Sequence, residues 1–160
     1  MLKAILSDLS RTLLFPVDEN YTGKLNALHE SLKEDPNYDI HKYFFLNEEL
    51  LSFYKSINKH IDIYMFTTKY IQEWPPLKEQ MNGIFKDIFS GARLNLKKDD
   101  PEAYNRIAEK IGLEPSEILF IDDSEANTDA AKEAGLFTIL FESKQKAIID
   151  LKKALENSTT

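Results

Sequence analysis

The stretch "ILFIDDSEAN", residues 118–127, runs four apolar residues directly into two adjacent carboxylates, Asp122 and Asp123. An apolar run of this length predicts a short strand that is buried on both faces of a sheet. At the end of such a strand the two carboxylates repel each other, and desolvation disfavours the ionised form of both. We therefore expect a positive charge beside the pair, or one protonated carboxyl group.

Short apolar runs and amphipathic stretches alternate along the rest of the chain. Further strands are predicted at 3–8, 61–68 and 137–141. The helical patterns between and after them begin at plausible capping residues, namely Asn47, Asp100, Ser124 and Ser143. This alternation predicts a doubly wound α/β fold, with a mostly parallel sheet and helices on both faces.

Polar residues stand at the ends of three of these strands. Ligands gather at the carboxyl ends of the strands in such sheets, so we expect Asp8, Thr67, Asp122 and Asp123 to lie along one edge.

One segment, 16–44, interrupts the alternation. It contains an amphipathic pattern with Leu25, Leu28 and Leu32 on one face, followed by the turn-rich "DPNYD". We interpret it as a small helical cap inserted after the first strand, within a core domain formed by 1–15 and 45–156 and followed by a flexible tail at 157–160. The segment could close over the strand ends as a lid, or it could only cover the sheet.

Length and composition exclude several classes of protein. The 160 residues are about one domain, and the chain has no cysteine, which excludes disulfides and thiolate metal sites. A net charge of -7 argues against a nucleic-acid partner, and no apolar stretch is long enough to span a membrane.

The first residues lack the pattern of a signal peptide. We expect a cytoplasmic monomer or homodimer. The three histidines share no metal-ligand spacing and are expected at the surface or its boundary.

Four motifs in chain order resemble those of the haloacid dehalogenase-like (HAD) superfamily, whose members are mostly Mg²⁺-dependent phosphatases. They are Asp8-Leu9-Ser10-Arg11-Thr12-Leu13, then Thr67 after an apolar strand, then Lys98 in "KDDPEAY", and finally "IDDSEANTDAAKEAG". Together they cover about 3–15 and 47–141. A response-regulator receiver uses similar residues, but there the acidic pair comes early in the chain and the lysine late, so the order here excludes that class.

The resemblance implies a magnesium site and a nucleophile. By analogy with the family, Mg²⁺ would be bound by Asp8, the backbone carbonyl of Ser10 and Asp123, with Asp122 orienting a bound water. Asp8 would attack phosphorus and form an aspartyl-phosphate.

The resemblance also implies how a substrate would be bound. Thr67 would donate a hydrogen bond to the phosphoryl oxygens, with Thr68 as a further substrate-binding residue, and Lys98 would neutralise Asp8 and the phosphate. The expected substrate is a phosphorylated small molecule or a phosphoprotein.

Two positions depart from the family pattern. Ser10 replaces the aspartate that serves as general acid and base, a role worth roughly 10²- to 10⁴-fold in rate, so weakened turnover is expected. Arg11 replaces a usual glycine and could grip a substrate anion, point into solvent or partly fill the site. Phosphonatases also lack the second aspartate and use a cap lysine, for which Lys24 and Lys33 are candidates. An alternative function is a catalytically impaired domain that binds a ligand or another protein.

Overall fold

Parallel strands form the centre of the computed structural model, which describes residues 1–159. These residues contain seven strands: β1 (Ala4–Ser7), β2 (Leu14–Pro16), β3 (Phe44–Leu46), β4 (Asp62–Thr67), β5 (Asp87–Ser90), β6 (Ile118–Asp122) and β7 (Phe137–Leu140). Five of them form a parallel sheet in the order β5-β4-β1-β6-β7. The predicted doubly wound, mostly parallel α/β fold is confirmed.

Helices cover both faces of this sheet. The α-helices are α1 (Leu25–Leu32), α2 (Glu48–Ile57), α3 (Pro75–Gln80), α4 (Gly91–Leu94), α5 (Pro101–Ile111), α6 (Glu125–Glu133) and α7 (Lys144–Ser158). Side chains alternate along the central strand, so Ile5 packs in the core layer that includes α2 and α7, while Ala4 and Leu6 pack in the layer that includes α5 and α6. Burial on both faces explains why β1 and β6 are continuous apolar runs.

The predicted caps begin the helices as expected. Asn47 Oδ1 accepts the N–H of Leu50 at 3.2 Å, and Asp100 Oδ1 accepts the N–H of Glu102 at 3.0 Å. In the same way, Ser124 and Ser143 cap α6 and α7. These bonds satisfy N–H groups that have no partner within the helix.

Sequence reasoning missed β5. Its sequence, "DIFS", has two apolar residues, and only Phe89 and Ser90 of the strand are buried, because it forms the edge of the sheet. The stretch around Pro75 divides into a 3₁₀ turn at Ile71–Glu73 and then α3, which begins at Pro75, because Trp74 before the proline is extended (φ -62°, ψ 123°).

The segment after β1 is built on a hairpin. Strands β2 and β3 pair antiparallel, with Leu14 opposite Leu46 and Pro16 opposite Phe44. The intervening chain carries α1 and a 3₁₀ turn at Ile40–Lys42. The two ends of the insertion are thereby joined to each other.

The predicted tail at 157–160 is partly wrong, because α7 continues through Asn157 to Ser158. The Ser158 hydroxyl accepts a hydrogen bond from the backbone N–H of Leu2, which holds the end of the helix against the start of the chain. Thr160 lies outside the described residues. Over residues 1–159, no helix combines the length and apolar character needed to cross a membrane.

Candidate active site

The carboxyl ends of β1, β4 and β6 meet at one edge of the sheet. Ser7, the last residue of β1, lies in register with Met65 of β4 and with Ile121 of β6. The N–H of Asp8 donates to the carbonyl of Ile121 at 2.9 Å, which places Asp8 beside the end of β6.

Lys98 bridges two of the carboxylates at this edge. Its Nζ lies 2.5 Å from Oδ1 of Asp8 and 2.7 Å from Oδ2 of Asp122. Burial disfavours the charged form of Lys98, but the charges of Asp8 and Asp122 outweigh burial and raise its pKa. The positive charge expected beside the acidic pair is therefore this lysine.

The loop before α5 positions Lys98. A β-carbon on Gly91 would lie 2.5 Å from the carbonyl oxygen of Leu96, so glycine permits the close turn in which Leu96 N–H donates to Gly91. The Tyr104 hydroxyl then donates to the carbonyl of Lys98 at 2.6 Å. Both contacts hold the lysine backbone while its side chain reaches the carboxylates.

Asp8 is buried, with 5% of its surface exposed. Burial is the main cause that raises its pKa to about 6, and the charge of Asp122 adds to that effect while Lys98 opposes it. Thr12 Oγ1 donates to Oδ2 of Asp8 at 3.1 Å. Lys98 and Thr12 therefore contact one carboxylate oxygen each and fix the orientation of the group.

Asp8, Asp122 and Asp123 form a group that could hold a metal ion, because one oxygen from each lies within 4.8 Å of the others. Burial and then the charges of Asp8 and Asp122 raise the pKa of Asp123 to about 8. Asp122 is itself held in place by the N–H of Ser124 at 2.8 Å and by Asn127 Nδ2 at 3.0 Å. Three crowded carboxylates offer the hard oxygen donors that Mg²⁺ prefers, so the residues fit a divalent cation.

A cavity of about 340 Å³ opens above these groups. Among the residues singled out from the sequence, its wall includes Asp8, Ser10, Arg11, Lys24, Thr68, Lys98, Asp122 and Asp123. Thr67 ends β4, is 1% exposed and is not among the lining residues, although its neighbour Thr68 is. Lys33 lies at the far end of α1, where it pairs with Glu30 at 2.7 Å.

Arg11 contacts the insertion. Its backbone is left-handed (φ 62°), and its N–H donates to the carbonyl of Leu14 at 2.7 Å. One guanidinium nitrogen, Nη2, donates to the carbonyls of Tyr21 (3.0 Å) and Gly23 (2.8 Å). The side chain of Arg11 therefore joins the loop after β1 to the start of the insertion at the cavity wall.

Two buried polar residues of α1 hold the insertion against the core. Asn26 Oδ1 accepts the N–H of Ile71 at 3.1 Å, and its Nδ2 donates to Thr68 Oγ1 at 3.4 Å. His29 is 3% exposed, so its predicted surface position is wrong. Its Nδ1 lies 3.0 Å from the Tyr38 hydroxyl, and its ring packs edge-on against Trp74 with centroids 5.0 Å apart. Insertion and core thus meet directly beside the cavity.

Asn26 was missed by sequence reasoning. An asparagine within an amphipathic helix carries no periodic signal, and its role depends on a partner 45 positions away in the chain. Only the predicted insertion beside the strand ends could have directed attention to polar residues on α1.

A family model described as haloacid dehalogenase-like hydrolase matches residues 6–135. Enolase-phosphatase E1 of Methylococcus capsulatus is 46% identical over 61 residues, which are 36% of this chain and 26% of that protein. A CBBY-like protein of Arabidopsis thaliana is 39% identical over 67 residues, which are 42% of this chain and 21% of that protein. The matched part of the chain thus spans about a quarter of the length of these curated relatives.

Solved structures share the fold across nearly the whole chain. An HAD family enzyme from Bacteroides thetaiotaomicron, in complex with magnesium and inorganic phosphate, has a TM-score of 0.67 at 15% identity, covering 89% of this chain and 95% of that chain. A HAD-superfamily hydrolase of subfamily IA from Geobacter sulfurreducens has a TM-score of 0.67 at 15% identity, covering 94% and 96%. At such low identity these two structures establish a common fold alone.

Proposed function

The chain belongs to the haloacid dehalogenase-like hydrolase family, and we propose that it is a Mg²⁺-dependent phosphohydrolase or phosphotransferase that acts through an aspartyl-phosphate on Asp8. The observation that carries this proposal is the position of Lys98, whose Nζ lies 2.5 Å from Asp8 and 2.7 Å from Asp122 at the base of a cavity. A buried carboxylate that remains able to ionise beside a cation is what nucleophilic attack on phosphorus requires.

Four residues would hold the magnesium ion. Asp8, the backbone carbonyl of Ser10 and Asp123 would bind it directly, and Asp122 would act through a bound water. When bound, the ion supplies positive charge that offsets the three carboxylates and the incoming phosphate dianion. The crowding of carboxylate oxygens within 4.8 Å supports this assignment.

The first chemical step would be carried by Asp8. A bond forms between one of its carboxylate oxygens and phosphorus, and the bond from phosphorus to the leaving oxygen breaks, so the leaving group departs with the electron pair. Lys98 keeps Asp8 ionised and Thr12 restricts its rotation. Thr67 and Thr68 would donate hydrogen bonds to the phosphoryl oxygens.

Ser10 limits both halves of the reaction. The leaving oxygen needs a proton when it is an alkoxide, and water needs a base when it attacks the aspartyl-phosphate. A serine hydroxyl is a poor acid and a poor base at neutral pH, so general acid–base help of roughly 10²- to 10⁴-fold is absent from this position. We therefore expect slow turnover, with a preference for leaving groups that do not need a proton.

The expected substrate is a phosphorylated small molecule rather than a phosphoprotein. A cavity of about 340 Å³ is within the range of small-molecule sites. The insertion also supplies part of its wall, including Lys24 and Asn26, which leaves less room for a folded partner.

The proposal is tested by Mg²⁺-dependent hydrolysis of p-nitrophenyl phosphate beside a simple alkyl phosphate. Nitrophenolate leaves without a proton, so we expect turnover of the aryl ester, little turnover of the alkyl ester, and neither reaction in Asp8→Asn. Turnover of both esters at similar rates would show that a group other than Ser10 supplies the proton. If Mg²⁺ binds but neither ester is hydrolysed, hydrolysis is rejected and the ligand-binding alternative, which the loss of the acid–base residue favours, replaces it.

A further inference from the structure

Three cationic residues are among those that line the cavity. They are Arg11, Lys24 and Lys69. Throughout residues 1–159, none of the three forms an ion pair within 4.0 Å of a carboxylate. The acidic residues that line the same cavity are Asp8, Asp122 and Asp123, and two of these already pair with Lys98.

The neighbouring acid on α1 does not neutralise this group. Glu30 pairs with Lys33 at 2.7 Å, and that hydrogen bond is the main cause that lowers the pKa of Glu30, with Lys69 the smallest contributor. Arg11 uses only Nη2 for the carbonyls of Tyr21 and Gly23, so these two contacts do not consume the hydrogens on Nε and Nη1. Positive charge therefore lies at the cavity wall both in the loop after β1, which carries Arg11, and in the insertion, which carries Lys24.

The start of α1 adds partial positive charge to the same wall. Lys24 is its N-cap, and no side chain caps this end of the helix. Leu25, Asn26 and Ala27, the first three helical residues, all line the cavity. The first N–H groups of a helix have no partner within it, and they favour an anion.

Charge counting shows that one phosphate does not balance this wall. At the base, the three carboxylates are offset by Lys98 and one divalent cation, so the base is formally neutral. Arg11, Lys24 and Lys69 then contribute three positive charges, of which a phosphate dianion balances two. The remainder favours a substrate that carries another negative charge.

We propose that the cavity binds a small phosphate ester that carries a second anionic group, a carboxylate or another phosphate, and that Arg11, Lys24 and Lys69 hold this second group. The inference rests on the proposed function, because it assigns the substrate class of the same site. Lys24 belongs to the insertion and Lys69 follows β4, so a second group held by both would also draw the insertion onto the core.

Two matched pairs of probes test the proposal. D-glycerate 3-phosphate and sn-glycerol 1-phosphate share the same configuration at C2 and differ only in a carboxylate against a hydroxymethyl group, and fructose 1,6-bisphosphate and fructose 6-phosphate differ in a second phosphate. We expect kcat/KM to favour the more anionic member of at least one pair by about tenfold or more, the effect of one charge-assisted hydrogen bond. Calorimetric Kd values in Mg²⁺-containing Asp8→Asn should show the same preference without turnover.

Variants identify the residues responsible. Lys24→Met and Lys69→Met should each reduce the preference for the anionic member severalfold, whereas Lys152→Met, at an exposed position on α7, should leave it unchanged. Equal kcat/KM and Kd for both members of both pairs would overturn the inference, as would a preference that neither cavity variant reduces.

Hydrolysis of p-nitrophenyl phosphate distinguishes failure of the second-anion inference from failure of the proposed phosphatase function. If that ester is hydrolysed while the pairs are not distinguished, only the second anion site is rejected. If that ester is not hydrolysed, the phosphatase proposal fails, and the Kd comparison alone decides whether the cavity prefers a second anionic group.

Discussion

The ammonium nitrogen of Lys98 lies 2.5 Å from a carboxylate oxygen of Asp8, although 90 positions separate the two residues in the chain. Both side chains are buried, with 7% and 5% of the residue surface exposed. Buried ion pairs gain stability only where the geometry is good, and removal of one partner leaves a charge without compensation. The same contact thus connects the stability of the fold to Asp8, the proposed nucleophile.

Lys98→Met should lower the free energy of unfolding by about 3 kcal/mol or more, because Asp8 and Asp122 are left buried without their cation. Urea unfolding without divalent cations measures this loss, and Mg²⁺ should recover part of it. Lys97→Met is the matched control, since that lysine is exposed and its loss should change stability by less than about 0.5 kcal/mol. Equal stability of the two variants would contradict the buried ion pair.

Much of this arrangement could be predicted from the sequence, because it depends on strand ends. Parallel strands place their carboxyl ends at one edge, so the apolar runs before Asp8 and Asp122 were enough to bring those residues together. Lys98 was identified differently. It follows no strand, and only its resemblance to a family motif distinguished it from a solvated charge run.

The contacts of the insertion could not be predicted, because they depend on backbone carbonyls and on distant partners. Arg11 binds the carbonyls of Tyr21 and Gly23, which are groups that every residue carries. Asn26 and His29 gain their roles only when α1 lies against the loop after β4. Edge strand β5 was not predicted for a related reason. Half of it is open to solvent and lacks an apolar pattern.

Ser10→Asp should increase the hydrolysis of an alkyl phosphate by roughly 10²- to 10⁴-fold, because it restores a group able to transfer a proton at the cavity wall. The gain should be smaller for p-nitrophenyl phosphate, whose leaving group needs no proton. Steady-state kcat/KM for both esters measures the difference. The side chain introduced by Ser10→Asn is similar in size to that of Ser10→Asp but cannot transfer the proton. An equal gain in rate in Ser10→Asn would therefore show that acid–base chemistry is not what position 10 lacks.

Arg11→Ala and Arg11→Gly should separate backbone strain from side-chain contact. Both variants lose the hydrogen bonds to Tyr21 and Gly23, so amide hydrogen exchange in 17–24 should increase in both. Arg11→Gly should be more stable than Arg11→Ala by about 1 kcal/mol, because glycine adopts φ 62° without the penalty that a β-carbon brings. Unchanged exchange in both variants would show that the arginine does not anchor the insertion.

Docking of the insertion should weaken in mild acid, because His29 is buried in its neutral form. Burial is the main cause that lowers its pKa below the usual value of about 6.5, while the charge of Glu30 opposes this effect and that of Lys33 adds to it. When the insertion leaves the core, His29 therefore binds a proton more readily than it does when the insertion is docked. Docking is at full strength above about pH 6.5 and is lost progressively as the pH falls below that value.

Trp74 is the single tryptophan of the chain and lies against His29, so its fluorescence reports this contact. We expect its emission to change as the pH falls from 8 to 5, with a midpoint below 6.5 that reflects the lowered pKa of His29. His29→Phe keeps an aromatic ring but cannot titrate, so the change should disappear. The control variant His60→Gln, at an exposed position, should retain it. A fluorescence transition that survives in His29→Phe would assign the effect to another group, because the histidine is then not what couples docking to pH.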